Sequence, residues 1–101
     1  MRIYLDDERN PKIEQFDVIT RSFGEFLEVL GATELDITYV SFDHDLGEDS
    51  LTGYDCAKAL VELDIKYNVL AKDFTFNVHS ANPVGAKNIQ MYLDQYLRTV
   101  R

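Results

Sequence analysis

The stretch ITYVSFDHDLGEDSLTGYD, residues 37–55, decides how this chain folds. Its first six residues, Ile37 to Phe42, are an unbroken β-branched and aromatic run, the pattern of a strand buried on both faces. The run stops at Asp43, His44 and Asp45, three ionisable side chains in succession. A loop bounded by Gly47 and Gly53 then bends the chain back, and Thr52 with Asp55 is spaced as a cap for a following helix. From Tyr54 to Tyr67, Cys56, Leu60, Leu63 and Tyr67 form one stripe at helical spacing, with Ala57 and Val61 beside it. A buried strand, a polar strand end and an amphipathic helix make one half of a parallel α/β unit.

The same grammar recurs on either side. RIYL (2–5) reads as a short strand that ends in Asp6, Asp7 and Glu8, and Asn10-Pro11 signals a turn. DVIT (17–20) is a second strand, and Phe23, Phe26, Leu27 and Leu30 place a helix over 22–31, with Ser22 and Glu25 as a capping box and Gly31 as its stop. FTFNV (74–78) delivers His79, Ser80 and Asn82, after which Asn82 and Pro83 are N-cap and first residue of a helix carrying Ile89, Leu93, Tyr96 and Val100. Alternating units of this kind cross over right-handedly and build a mostly parallel sheet. The first two strands are too close in sequence for a helical crossover, so a loop or single turn joins them.

The 101 residues suffice for one domain, 1–101, with one core, and there is no repeat, linker or low-complexity segment. Eighteen acidic against ten basic side chains give a net charge of -8, which disfavours non-specific nucleic-acid binding and anionic membranes. The basic residues are scattered, although Arg98 and Arg101 close the chain. A single Cys56 at a core-like helical position, no signal-like apolar segment and no stretch approaching the ~20 apolar residues of a membrane span make the expected location cytoplasmic.

In an open parallel sheet, ligands bind outside the carboxyl ends of the strands. With the strand order 2-1-3-4, Asp6, Asp7, Asp43, His44, Asp45, His79, Ser80 and Asn82 share one rim. Crowded carboxylates repel one another unless a cation intervenes, and the oxygen-only set Asp6, Asp7 and Asp43 suits Mg²⁺ or Mn²⁺ better than zinc. Glu8 and Asp45 read more readily as solvated acids, Asp45 in a turn, whereas His44 reads equally well as a surface ion-pair partner. His79 ends a buried strand beside a helix N-terminus, a place for phosphate contact or proton transfer, with a satisfied core histidine as the alternative. Gly85 permits close approach to that helix or merely its packing, and Lys87 is a phosphate donor or a solvated lysine. Ser80 has no Asp–His relay at a recognisable spacing, so a serine-hydrolase triad is unsupported.

LDDER at the first strand end, SFDHDLG followed by GYD, and HSANPVGAKNI together resemble the cyclic-phosphate processing receiver domain, a bacterial and phage-borne offshoot of response-regulator receivers. The resemblance spans nearly the whole chain. It implies a reduced receiver- or flavodoxin-like three-layer sandwich with a four-stranded sheet and about three main helices. It also implies a metal-binding acid pair at Asp6 and Asp7, a phosphoacceptor-type Asp43 and a switch-type Ser80. Two departures stand out. There is no fifth strand ending in the lysine that ordinary receivers use, and His44 and His79 stand where receivers have neither. The reading that follows is a metal-dependent phosphoesterase acting on a cyclic nucleotide or an RNA 2′,3′-cyclic end. Asp6, Asp7 and Asp43 hold the cation, His79 and His44 move protons alongside Asp43, and Ser80, Asn82 and Lys87 hold phosphate oxygens. A phosphoacceptor signalling domain and a non-catalytic nucleotide-binding or interaction module are the alternatives.

Overall fold

The computed structural model describes residues 1–31, 36–47 and 51–100. Strands β1 (Arg2–Leu5), β2 (Val18–Thr20), β3 (Ile37–Phe42) and β4 (Leu70–Val78) alternate with helices α1 (Phe23–Gly31), α2 (Gly53–Tyr67) and α3 (Pro83–Val100). The sheet runs β2-β1-β3-β4 with every pair parallel, the receiver-like order expected from the sequence. Residues 6–17 contain no helix, as the short link requires.

Topology determines which face carries the helices. The connections β2 to β3 and β3 to β4 run in the same direction across the sheet, so right-handed crossovers put α1 and α2 on one face. Helix α3 packs beside α2 in that layer. The β1-to-β2 connection runs the other way and crosses the opposite face. The third layer of the expected sandwich is therefore the extended segment 6–17, where Phe16 packs on Tyr4 and Tyr39 and the Arg2 guanidinium lies over Tyr39.

The core lies between sheet and helices. Ile3, Leu5, Val40, Phe42 and Phe74 meet Phe26, Leu30, Leu60, Ile89 and Leu93 in one buried cluster. Cys56 and Ala57 are buried as their stripe predicts, whereas its last member, Tyr67, and the end of the α3 stripe, Val100, are exposed because they overrun the sheet. Thr52 and Asp55 form the reciprocal capping box of α2. At α1, Ser22 Oγ accepts from the Glu25 N–H, but the Glu25 carboxylate accepts from Arg21 rather than from the cap itself. Gly31 is the last helical residue and does not adopt a left-handed conformation. Residues 48–50 of the glycine-bounded loop, and Arg101, lie outside the described residues.

The end of the molecule opposite the strand tips is closed by one buried acid. Asp64 accepts from the Leu70 N–H at 2.8 Å and from the Tyr96 hydroxyl at 2.6 Å, joining α2 to β4 and α3. Burial first, and Asp64 second, push the Tyr96 hydroxyl up to about 12. No helix of the described residues is long and apolar enough to cross a membrane.

Candidate active site

Strand register sets the site. Leu5 pairs with Phe42, and Phe42 with Val78, so the next residue of each strand, Asp6, Asp43 and His79, forms one row beyond the sheet. The parallel ladder continues one step into that row, because Asp43 N donates to Leu5 O and His79 N to Phe42 O, each at 2.9 Å. Three strands from distant parts of the chain thus bring their polar ends together, which the ligand-binding rule for parallel sheets anticipates.

Asp6 is fully buried and heavily engaged. Its Oδ1 accepts from the backbone N–H groups of Glu8 and Arg9, both at 2.9 Å, which curls the chain around the carboxylate. Its Oδ2 accepts from Arg9 Nε at 2.8 Å and from His79 Nε2 at 3.1 Å. Burial opposes the charge on Asp6. The two backbone donors, the Arg9 guanidinium and His79 outweigh it, and the carboxyl sits below its ordinary value. Asp43 goes the other way, raised first by burial and then by the negative charge of Asp6. The Ser80 hydroxyl, Arg9 and the His44 N–H offset this only in part. Two neighbouring carboxyls held in unlike protonation environments mark a site rather than a solvated strand end.

Asp7 completes the cluster. Asp6, Asp7 and Asp43 each present a carboxylate oxygen within 4.8 Å of the others, a hard-oxygen set that fits Mg²⁺ or Mn²⁺ with water and a ligand oxygen filling the remaining positions. The backbone around them is shaped to match. Gly47 has φ +65, and a Cβ there would come to 2.7 Å from Asp7 Oδ2. A Cβ on Gly53 would come to 1.8 Å from the Asp43 carbonyl oxygen, so only glycine lets α2 start against β3.

The remaining residues expected at the site fall into distinct places. Asp6, Asp7, Asp43, Asp45 and Ser80 line one cleft of about 280 Å³. His44 does not line it; its ring is turned against α3, where a Cβ on Gly85 would lie 2.2 Å from the ring Cγ. His44 instead holds Asp45 through Nδ1 at 2.7 Å, so Asp45 reaches the cleft and the histidine positions it. Asn82 caps α3, its Oδ1 accepting from the Gly85 N–H at 2.9 Å, while its Nδ2 donates to Asp45 at 3.3 Å. Lys87 is exposed on α3, does not line the cleft and, among the described residues, has no hydrogen bond or ion pair with the cluster. His79 bridges Asp6 and Ser41, whose Oγ is 2.7 Å from Nδ1, and its ring stacks on Tyr4 at 4.7 Å. An ionised Asp6 can only accept, so Nε2 carries the proton, and in the neutral ring Ser41 donates to Nδ1.

Sequence reasoning missed Arg9. Its guanidinium lies against both buried acids, 2.8 Å from Asp6 and 3.6 Å from Asp43, and half of its side chain stays exposed. The signal was present: a base three residues after Asp6, directly following the acidic strand end in a chain with few bases. Ser41 was hidden more thoroughly, being an ordinary position of a strand, on the face opposite its core neighbours Val40 and Phe42.

A model of the cyclic-phosphate processing receiver domain matches residues 1–95. No curated protein and no solved structure matches the chain. The match spans the aspartates at the ends of β1 and β3, His79 and Ser80 at the end of β4, and α3 as far as Gln95; the chain belongs to the cyclic-phosphate processing receiver domain family.

Proposed function

We propose that this domain is a metal-dependent phosphoesterase that opens a cyclic phosphate to a phosphomonoester. The observation that carries the reading is the cluster of Asp6, Asp7 and Asp43, three carboxylates from two neighbouring strand ends within 4.8 Å of one another. A divalent cation held there, Mg²⁺ or Mn²⁺, would supply Lewis-acid chemistry at a phosphoryl oxygen or at water.

The chain's own groups supply the rest. Arg9 is the positive group already in the cleft and, on release from the acids, pairs with a phosphate oxygen. Ser80, on the cleft wall, offers its hydroxyl to a second oxygen. Opening the ring adds water to phosphorus and breaks one ester P–O bond, and the departing oxygen takes a proton to become a hydroxyl. His79 lines the groove beside the cleft, oriented by Ser41, Asp6 and the Tyr4 ring, and in its imidazolium form is the proton donor of this scheme; the attacking water releases one proton to solvent as it adds, which restores the balance. Asp45, held in the cleft lining by His44 and Asn82, is an acceptor for the attacking water.

The test is a screen of 2′,3′- and 3′,5′-cyclic nucleotides and RNA with a 2′,3′-cyclic end, each with Mg²⁺ and Mn²⁺, followed by phosphorus NMR for the ring-opened monoester. No turnover of any of them by folded protein overturns the proposal. A phosphoacceptor role is favoured by the hydrogen bond of Ser80 to Asp43. It requires a mass increase on incubation with a small phosphodonor and Mg²⁺ that Asp43→Asn abolishes.

A further inference from the structure

Arg9 forms part of the wall between two cavities. On one side is the carboxylate cleft; on the other, against the sheet face that carries no helices, is a groove of about 520 Å³. Arg9 lines both, while His79 lines the groove and not the cleft.

The two cavities differ in chemistry. Five acids line the cleft: Asp6, Asp7, Glu8, Asp43 and Asp45. Glu14 is the one acid lining the groove, and it is paired with Arg2 at 3.5 Å. Lys12 and Arg9 bring positive charge to the groove, and Pro11 and Ile13 bring apolar surface. Ile13 is 93% exposed and takes no part in the core. Asn77 projects from β4 into the same groove and is exposed.

We propose that this groove is a nucleoside subsite, holding the base and sugar of a cyclic mononucleotide whose phosphate lies at Arg9 and the cleft. The inference rests on the cyclic-phosphate reading above and specifies its substrate. In a cyclic nucleotide the phosphate ring is fused to the sugar, so phosphate and nucleoside must occupy adjoining spaces, and Arg9 is the shared boundary of two such spaces. The groove's volume falls within the roughly 300–1,000 Å³ of small-molecule sites, with mixed apolar and polar lining. Ile13 and Pro11 provide a surface for a flat heterocycle, and the Asn77 carboxamide and Lys12 provide donors for its edge.

Charge separates a mononucleotide from an RNA end. A cyclic phosphodiester carries one negative charge, whereas an RNA adds one with each further nucleotide. Against a chain of net charge -8 with an acidic rim, the singly charged ligand meets the least repulsion. The placement also accounts for the side of the site on which His79 stands. When the P–O bond breaks the sugar keeps the oxygen, and His79 lines the cavity in which that sugar lies.

The test compares three ligands on the full chain with Mg²⁺: 2′,3′-cyclic adenosine monophosphate, the base-free cyclic phosphate of glycerol, and a trinucleotide RNA with a 2′,3′-cyclic end. Each is read as Kd by calorimetry, or as KM where the ligand is consumed. The mononucleotide should bind roughly tenfold or more tighter than the base-free ligand, the span expected from burying about 60 Å² of a base against Ile13 and Pro11. Asn77→Trp, which fills the groove, and Ile13→Glu, which charges it, should bring that ratio to about one. Both sites are exposed, so the fold tolerates the changes. Equal binding of mononucleotide and base-free ligand overturns the subsite and leaves the phosphoesterase reading standing. Tighter binding of the trinucleotide overturns the choice of a mononucleotide. Binding of none of the three overturns the underlying reading, and this inference with it.

Discussion

Arg9→Met removes the only side-chain guanidinium or ammonium group that the described residues pair with the carboxylates of Asp6 and Asp43. Asp6 and Asp43 side chains are 1% and 7% exposed, so water compensates either carboxylate only in part. At an effective dielectric of about 20, unit charges about 4 Å apart attract by roughly 4 kcal/mol. The Arg9 side chain is 50% exposed, so solvent screening and the entropy of holding it reduce the net loss to about 2 kcal/mol. For a domain of this size that is a fall of about 10 °C in Tm, followed by circular dichroism. Two controls tie the loss to charge. Asp43, whose carboxyl is already raised, takes up a proton more easily once Arg9 is gone, so the gap between variant and native protein should narrow as pH falls from 7 toward 4. A divalent cation at about a hundred times its Kd contributes roughly 2.7 kcal/mol, so Mg²⁺ or Mn²⁺ should lift the variant's Tm more than the native protein's, since no guanidinium competes. A variant as stable as the native protein at pH 7, or one that gains no more from the cation, would refute the account of Arg9 as the cleft's resident counter-charge.

Other outcomes follow from single contacts. Gly85→Ala would place a Cβ 2.2 Å from His44 Cγ, so the ring must leave its seat; we expect a loss of about 1–3 kcal/mol in urea unfolding and loss of the His44–Asp45 hydrogen bond in imidazole nitrogen NMR. Gly47→Ala combines a left-handed φ of +65 with a Cβ 2.7 Å from Asp7 Oδ2, and should weaken Mn²⁺ binding by calorimetry in addition to costing about 1–2 kcal/mol of stability. Unchanged Mn²⁺ affinity would remove Asp7 from the cation set. Tyr96→Phe leaves one oxygen of buried Asp64 without its donor and should cost about 1–3 kcal/mol. Because the Tyr96 hydroxyl is raised from 10.0 to about 12, its contribution is fully present below pH 10.0 and lost as pH rises through about 12. The native protein should therefore lose stability across that window more steeply than the variant, measured by urea unfolding at stepped pH.

Much of the fold could be read locally. The run from Ile37 to Phe42, the cap pairs Thr52–Asp55 and Asn82–Pro83, and the apolar spacing in all three helices are short-range signals, and short-range sterics and hydrogen bonding enforce them. The short link between the first two strands correctly ruled out a helix there. Which face stays bare is a property of crossover direction, and appears only once the strand order is fixed in space.

The site divides along the same line. Sequence alone placed Asp6, Asp43 and His79 at strand ends and so on one rim, because a parallel sheet sends all its carboxyl ends to the same edge. Only the tertiary structure decided where the flanking side chains turn. Register sets His79 beside Asp6, Gly85 admits the His44 ring and sends Asp45 to the cleft, Lys87 stays off the cleft lining, and the curl after Asp6 brings Arg9 over both buried acids. Rotamer direction and charge pairing depend on atoms from distant segments, and local pattern contains no information about them.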